Sequence, residues 1–175
     1  ILEIGSYSGA SAAAFAKYFI NSSIFCLDLN LTKFIYKSNQ IYPYGIDVTN
    51  YKMVENFLRK IYLKNNISDF DIIIDDGSHL LSHQLKSLNY FLKFVKKDGF
   101  YIVEDFKFPE YFKHLKDIDE PTLSDLIQYI RTGKSIKSNL ITKETIELLK
   151  KNLNGISEHK GKKNVSDILF VKKLN

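Results

Sequence analysis

Three consecutive isoleucines sit inside the run FDIIID, residues 70–75. A strand with one wet face alternates apolar and polar residues, so a nearly continuous apolar run of this length reads as a strand buried on both faces. GFYIVED, residues 99–105, is a second run of the same kind. Between them Leu81, Leu85, Leu88, Leu92 and Val95 recur at helical spacing and form one apolar stripe. Buried strand, amphipathic helix and buried strand in succession point to a parallel sheet covered on both faces.

The rest of the chain extends that pattern. ILEI is a short apolar run that stops at Gly5, and residues 9–20, GASAAAFAKYFI, are Ala-rich and helical. IFCLDL (24–29) reads as the next strand, and QIYPYGID (40–47) holds a shorter third one. A helix is predicted over 50–64, with Met53, Val54, Phe57, Leu58 and Ile61 on one side. Residues 106–121 are aromatic, charged and loop-like; helices are predicted over 122–132 and 142–153, the second capped by Thr142 and stopped by Gly155. GISEHK and DILFVKKL close the chain as two strand-like runs, joined by a Gly161–Asn164 turn into an antiparallel hairpin.

Length and composition set bounds. The 175 residues suit one domain spanning 1–175, with no repeat or linker, and 45% hydrophobic content is ordinary for a globular protein. No apolar run approaches the roughly 20 residues of a membrane span, and no secretory leader is visible. The chain opens on Ile1 inside a strand, which raises the expectation of further sequence upstream. One cysteine, Cys26, forms no internal disulfide; it reads as a small buried hydrophobe rather than a reactive thiol, in a reducing cytoplasm. The net charge of +5 comes from scattered lysines, without an Arg-rich cluster or aromatic ladder, so no nucleic-acid partner is expected.

Two stretches carry chemistry. LEIGSYSGAS (2–11) is a strand, a glycine loop and a helix start, an arrangement that brings backbone close to a nucleotide. Gly5 and Gly9 are separated by three residues with Tyr7 in the middle, so neither G-x-G-x-x-G nor a Walker loop is present. Acids then end successive strands: Asp28, Asp47, Asp75–Asp76 and Glu104–Asp105. Open α/β sheets bind ligands at that edge, and a carboxylate can accept two hydroxyls at once. IIIDDGSHLLSHQ (72–84) is the densest cluster. Two plainer readings stand beside the functional one: Ser78 caps a helix that begins at His79 while both aspartates are solvated, or His79 and His83, four apart, pair on zinc. The zinc reading lacks an HExxH context and a third nitrogen or sulfur ligand.

EIGSYSGAS resembles the first motif of the class I S-adenosylmethionine (SAM) methyltransferases, although many of these carry a glycine where Tyr7 stands. The resemblance implies a doubly wound α/β fold: a mostly parallel seven-stranded sheet closed by a C-terminal antiparallel hairpin. It implies that Gly5 and Gly9 frame the methionine end of the cofactor, that Glu3 helps to order the loop, that Ser6, Tyr7 and Ser11 belong with them to the cofactor-binding group, that Asp28 takes the ribose hydroxyls and that Asp47 reads the adenine amino group. It also makes the fourth and fifth strands neighbours, so that four carboxylates meet. Like charges that close raise one another's pKa, and a hard divalent cation relieves the conflict.

DDGSH followed by VED is similar to the metal-dependent O-methyltransferases that modify sugar hydroxyls on macrolides, and to related cephalosporin-tailoring enzymes. That likeness assigns a cation, Mg²⁺ first among Mg²⁺, Mn²⁺ and Ca²⁺, to Asp76, Glu104 and Asp105. It makes His79 the base and sets Asp75 behind the first ligand in the cofactor-binding group. His83 and Gln84 are placed to line the site. A sugar hydroxyl is a poor nucleophile; a metal acidifies and orients it, an imidazole takes its proton, and methyl transfer is then largely positioning. The implied acceptor is a hydroxyl of a sugar or glycosylated small molecule, walled by residues 106–135, and self-association stays open. The alternatives are a nucleotide- or NAD-binding oxidoreductase, opposed by the glycine spacing and the lack of a Tyr-x-x-x-Lys pair, and a non-catalytic SAM-fold partner subunit.

Overall fold

The computed structural model describes residues 1–162 and 165–174. Seven strands form one sheet: β1 (Leu2–Ile4), β2 (Ile24–Asp28), β3 (Ile41–Gly45), β4 (Phe70–Asp75), β5 (Val95–Glu104), β6 (Ile156–Lys160) and β7 (Asp167–Lys172). Their order is β3-β2-β1-β4-β5-β7-β6. The first five pair in parallel, while β7 runs antiparallel between β5 and β6. The helices are α1 (Ala10–Tyr18), α2 (Tyr51–Asn65), α3 (Leu81–Phe91), the single turn α4 (Phe108–Tyr111), α5 (Leu123–Thr132) and α6 (Lys143–Lys151). Among the described residues no helix is long and apolar enough to cross a membrane.

Two-sided burial follows from strand alternation. Phe25 and Leu27 of β2 point to one face and join Leu2, Ile4 and Ile73 in a large core with Val54, Phe57 and Ile61 of α2 and Leu81, Leu85 and Leu88 of α3. Ile24 and Cys26 point to the other face, where they meet Ile41 and Ala12 of α1. Cys26 is fully buried, and burial first, with Glu3 second, pushes its thiol up to about 12. Such a thiol carries no thiolate at neutral pH and behaves as core. The ring of Phe25 anchors an aromatic cluster, with centroids 5.3 Å from Tyr42, 6.3 Å from Phe57 and 6.1 Å from Phe70.

Several boundaries differ from expectation. Val95 does not continue the α3 stripe; α3 ends at Phe91, a 3₁₀ turn covers Leu92–Phe94, and Val95 opens β5 opposite Phe70. It is buried all the same, because the strand start enters the core the helix has just left. In α2, Met53 stays exposed while Val54, Phe57 and Ile61 are buried. The segment predicted as loop contains α4 and a 3₁₀ turn at Lys113–Leu115. Thr142 caps α6 as expected, its side chain accepting from the Thr145 amide. The terminal hairpin forms, with Lys160 opposite Asp167; of its turn, Lys163 and Asn164 lie outside the described residues.

Candidate active site

The ends of β1 and β4 pack against each other at the carboxyl edge of the sheet. Gly5 has φ 85°, and a Cβ there would lie 2.1 Å from the carbonyl oxygen of Asp76, so only glycine lets the two loops touch. The Asp76 amide donates to the Ile4 carbonyl at 2.9 Å and the Gly5 amide to the Leu27 carbonyl at 2.8 Å. Tyr7, at φ 43°, turns its amide onto Asp28 Oδ2 at 2.7 Å; the Asn30 amide donates to Asp28 Oδ1 at 2.8 Å. Asp28 therefore holds the glycine loop to the end of β2 while keeping lone pairs on both oxygens. Asp47 Oδ1 accepts the Thr49 amide at 2.9 Å and its hydroxyl at 2.7 Å, which hold the carboxyl below its ordinary range.

These groups surround a cavity of ≈ 340 Å³ that runs from Tyr7 past Asp28 and Asp47 to Asp75, Asp76 and His83. Gly5 lines it as well, whereas Glu3, Ser6, Gly9 and Ser11 do not. Glu3 is buried beneath the loop, its Oε2 unpartnered among the described residues, and Ser6 is buried beside it. Gly9, at φ 81°, makes room for the Phe34 ring, and Ser11 lies on the exposed side of α1. A larger hollow of ≈ 570 Å³ opens at the amino edge of the sheet beside Ile1, Phe19 and Phe70. Its acids are already engaged: Asp71 pairs with Lys96 at 3.0 Å, and Asp69 accepts from Ser68. Asp76, Glu104 and Asp105, which have no Lys or Arg partner among the described residues, lie at the other edge.

At the deep end of the smaller cavity, Asp75 is buried and pushed up to about 6 by that burial, opposed by hydrogen bonds. Its Oδ1 accepts the Gly77 amide at 3.3 Å and its Oδ2 the Tyr101 hydroxyl at 3.4 Å, with Ser87 2.9 Å from that hydroxyl. Asp76 is pushed up to about 7, first by burial and then by Glu104, Asp105, Glu3 and Asp75. Glu104 is raised by burial and then by Asp105 and Glu3. Within hydrogen-bonding or ion-pairing reach of Asp76, the described residues offer only His79, whose Nε2 lies 3.8 Å from Asp76 Oδ1. Burial lowers the His79 pKa against the pull of Asp105, which favours a neutral imidazole able to accept a proton. The Phe108 ring meets it edge-on at 5.0 Å.

The turn before α3 differs from the plain reading. Ser78 caps nothing: α3 starts at Leu81, its N-cap Leu80 offers no side-chain acceptor, and Ser78 Oγ lies 2.6 Å from His83 Nδ1. His79 precedes the helix at φ 58°, so the i, i+4 geometry behind the zinc reading is absent. His83 lines the cavity as expected, whereas Gln84 is buried without lining it. Thr49 and Ser87 were not foreseen, and both line the cavity. The signal for Ser87 was weak, since Ser82 and Gln84 are also polar residues on the buried side of α3.

No family model matches the chain. Over 49 residues, 28% of its length, it is 41% identical to the 8-demethyl-8-(2-methoxy-alpha-L-rhamnosyl)-tetracenomycin-C 3'-O-methyltransferase of Streptomyces olivaceus. Over a stretch of the same length it is 37% identical to the L-olivosyl-oleandolide 3-O-methyltransferase of Streptomyces antibioticus. Each match spans 12% of the relative's length. Among solved structures, MycE methyltransferase from the mycinamycin biosynthetic pathway, in complex with Mg and SAH, superposes with a TM-score of 0.68 at 21% identity. That match covers 98% of this chain and 44% of MycE. Human methyltransferase-like protein 13 in complex with SAH gives 0.55 at 10% identity, over 98% of this chain and 70% of that one. The fold is that of the class I methyltransferases.

In a class I methyltransferase fold the antiparallel β7, set between β5 and β6, marks the sheet off from the dinucleotide-binding order 3-2-1-4-5-6. The oxidoreductase alternative loses its structural basis there. The cavity fits the adenosyl end of SAM in donor chemistry, with acceptor oxygens at Asp28 and Asp47 and close backbone at Gly5. For a cation the donors are all carboxylate oxygens, with His79 the one basic side chain near Asp76 among the described residues, and an all-oxygen donor set suits a hard ion. Among the described residues no three such side chains converge tightly enough to grip one as they stand. Closing Asp76, Glu104 and Asp105 on an ion therefore needs side-chain rearrangement.

Proposed function

We propose that this chain is the catalytic part of a SAM-dependent O-methyltransferase that modifies a sugar hydroxyl on a glycosylated small molecule, with Mg²⁺ as its cation. The observation that carries the reading is the uncompensated cluster of Asp76, Glu104 and Asp105 beside a neutral-leaning His79, at the end of a cavity bounded by Asp28 and Asp47. The short sequence matches to two sugar O-methyltransferases support the acceptor class. MycE, captured with Mg, SAH and mycinamycin VI, supports the cation and the cofactor.

When bound, SAM would supply the methyl group and the cation would acidify the hydroxyl. Asp28 would accept the ribose hydroxyls, Asp47 and the Gly5–Tyr7 backbone would orient the rest of the cofactor, and Asp76, Glu104 and Asp105 would hold the cation. His79 Nε2, 3.8 Å from Asp76 Oδ1, would take the proton of the acceptor hydroxyl. Phe108 and Phe112, stacked edge-on at 5.1 Å, shield the base from water and offer an apolar wall to the acceptor.

The test is calorimetric titration of S-adenosylhomocysteine with and without Mg²⁺, on wild type and Asp76→Ala, followed by methyl transfer to L-olivosyl-oleandolide. Cofactor binding with a separate Mg²⁺ signal that disappears in Asp76→Ala is the expected result. Cofactor binding with no Mg²⁺ signal in either protein would remove the metal from the reading; no cofactor binding would overturn it.

A further inference from the structure

The cap of α3 comes from far along the chain. Leu80 provides no side-chain acceptor, but the Ser82 amide donates to Asp117 Oδ1 at 3.0 Å and the Ser82 hydroxyl to Asp117 Oδ2 at 2.5 Å. Burial would raise the Asp117 carboxyl, yet these bonds outweigh it and hold the group below its ordinary range. A carboxylate at a helix N-terminus also opposes the positive end of the helix dipole. The same turn is gripped a second time, at His79, by the Phe108 ring, with Phe112 packed behind it. Between those two anchors the segment consists of the four-residue α4 and a three-residue 3₁₀ turn. Pieces that short do not hold themselves in water, so their placement depends on what pins them: Asp117 and Phe108 on the α3 side, and on the β7 side Tyr111, whose hydroxyl donates to Asp167 Oδ2 at 2.6 Å. The turn they grip is braced internally by Ser78 and His83, and His83 lines the cavity.

We infer that Asp117 is a positioning residue: by binding Ser82 it holds the aromatic segment 106–117 against the turn that carries His79, and so sets the acceptor wall relative to the base. This rests on the methyltransferase reading for its functional meaning, though not for its geometry. A helix cap with no such role would steady residues 80–84 alone. A latch would steady 80–84 and 106–116 together.

The experiment is amide hydrogen exchange on the full chain for wild type, Asp117→Ala, Asp117→Asn and Ser82→Ala, with S-adenosylhomocysteine affinity measured alongside. Asp117→Ala should speed exchange about fivefold or more in both 80–84 and 106–116, leaving the β1–α1 and β3–α2 segments unchanged and cofactor affinity within about twofold. Asp117→Asn, which keeps one acceptor oxygen, should fall between wild type and Asp117→Ala. With L-olivosyl-oleandolide as acceptor, the expected change is a rise in KM that exceeds any fall in kcat. Faster exchange confined to 80–84 would overturn the proposal. Should Asp117→Ala fail to fold, Ser82→Ala, which removes only the hydroxyl bond, decides it by the same two segments. If wild type binds no cofactor, the functional reading fails while the exchange result still judges the latch.

Discussion

At the residue scale, Asp76 concentrates the conflict on which the proposed chemistry rests. Its carboxyl is half-buried among Glu104, Asp105, Glu3 and Asp75, and it titrates near 7 rather than near 3.8. An acid whose folded pKa is raised binds more protons folded than unfolded, so its cost to stability is absent below the unfolded value and grows as pH rises toward the folded one. With Asp75 near 6 adding the same sign, thermal unfolding of the metal-free protein should shift to lower temperature as pH rises from about 4 to 7. Asp76→Asn should flatten that slope and raise the metal-free Tm at pH 7 while abolishing methyl transfer. Scanning calorimetry across that pH range checks it; a Tm unchanged or lowered at pH 7 would count against charge repulsion at this site. The acid itself was legible in DDGSH, and so was His79. The left-handed backbone at His79, and the hydrogen bond between Ser78 and His83, were not, because no local pattern encodes which way a side chain turns once a loop is packed.

At the element scale, the strands behave as their apolar runs require, and the helices depend on how their ends are closed. Phe25 in β2 touches rings from β3, α2 and β4, so Phe25→Ala should cost about 3–5 kcal/mol in a urea titration, from lost burial and the cavity left behind. Helix α5 begins with a full capping box: the Thr122 side chain takes the Asp125 amide, and the Asp125 carboxylate takes the Thr122 amide. Thr122→Ala should lower stability by about 1 kcal/mol by the same measurement, without altering cofactor affinity. That box was readable as Thr-x-x-Asp ahead of an apolar run. The end of α3 was not readable, since Leu92 and Val95 keep the helical spacing while the chain passes through a 3₁₀ turn into β5. Periodicity reports that a residue is buried, not which element buries it.

At the scale of the whole molecule, the terminal hairpin closes the sheet. β7 pairs with β5 over Phe100–Glu104, directly beside the strand that delivers Glu104. A chain truncated after Asn152 would expose that edge and the apolar faces of Tyr101 and Val103, so it should aggregate during refolding where the full chain does not. Light scattering on dilution from urea tests this, and a monodisperse truncated product would show that the hairpin is dispensable. Adjacency of β1 and β4 matters as much, because it seats Gly5 on Asp76 and joins the cofactor loop to the carboxylate cluster.

The order of buried strands and helices, the acids at the strand ends, the buried cysteine and the glycine loop were written in the sequence, because each reflects a local rule: side-chain period, turn chemistry or charge. The tertiary structure alone decided that Glu3 lies beneath the loop, that Ser87 and Tyr101 support Asp75, and that Asp117 caps a helix 35 residues before it. It alone decided, too, that Glu104 and Asp105 come close enough to Asp76 to raise its pKa. Those are pairings between distant parts of the chain, and their geometry exists only once the strand order has brought the parts together.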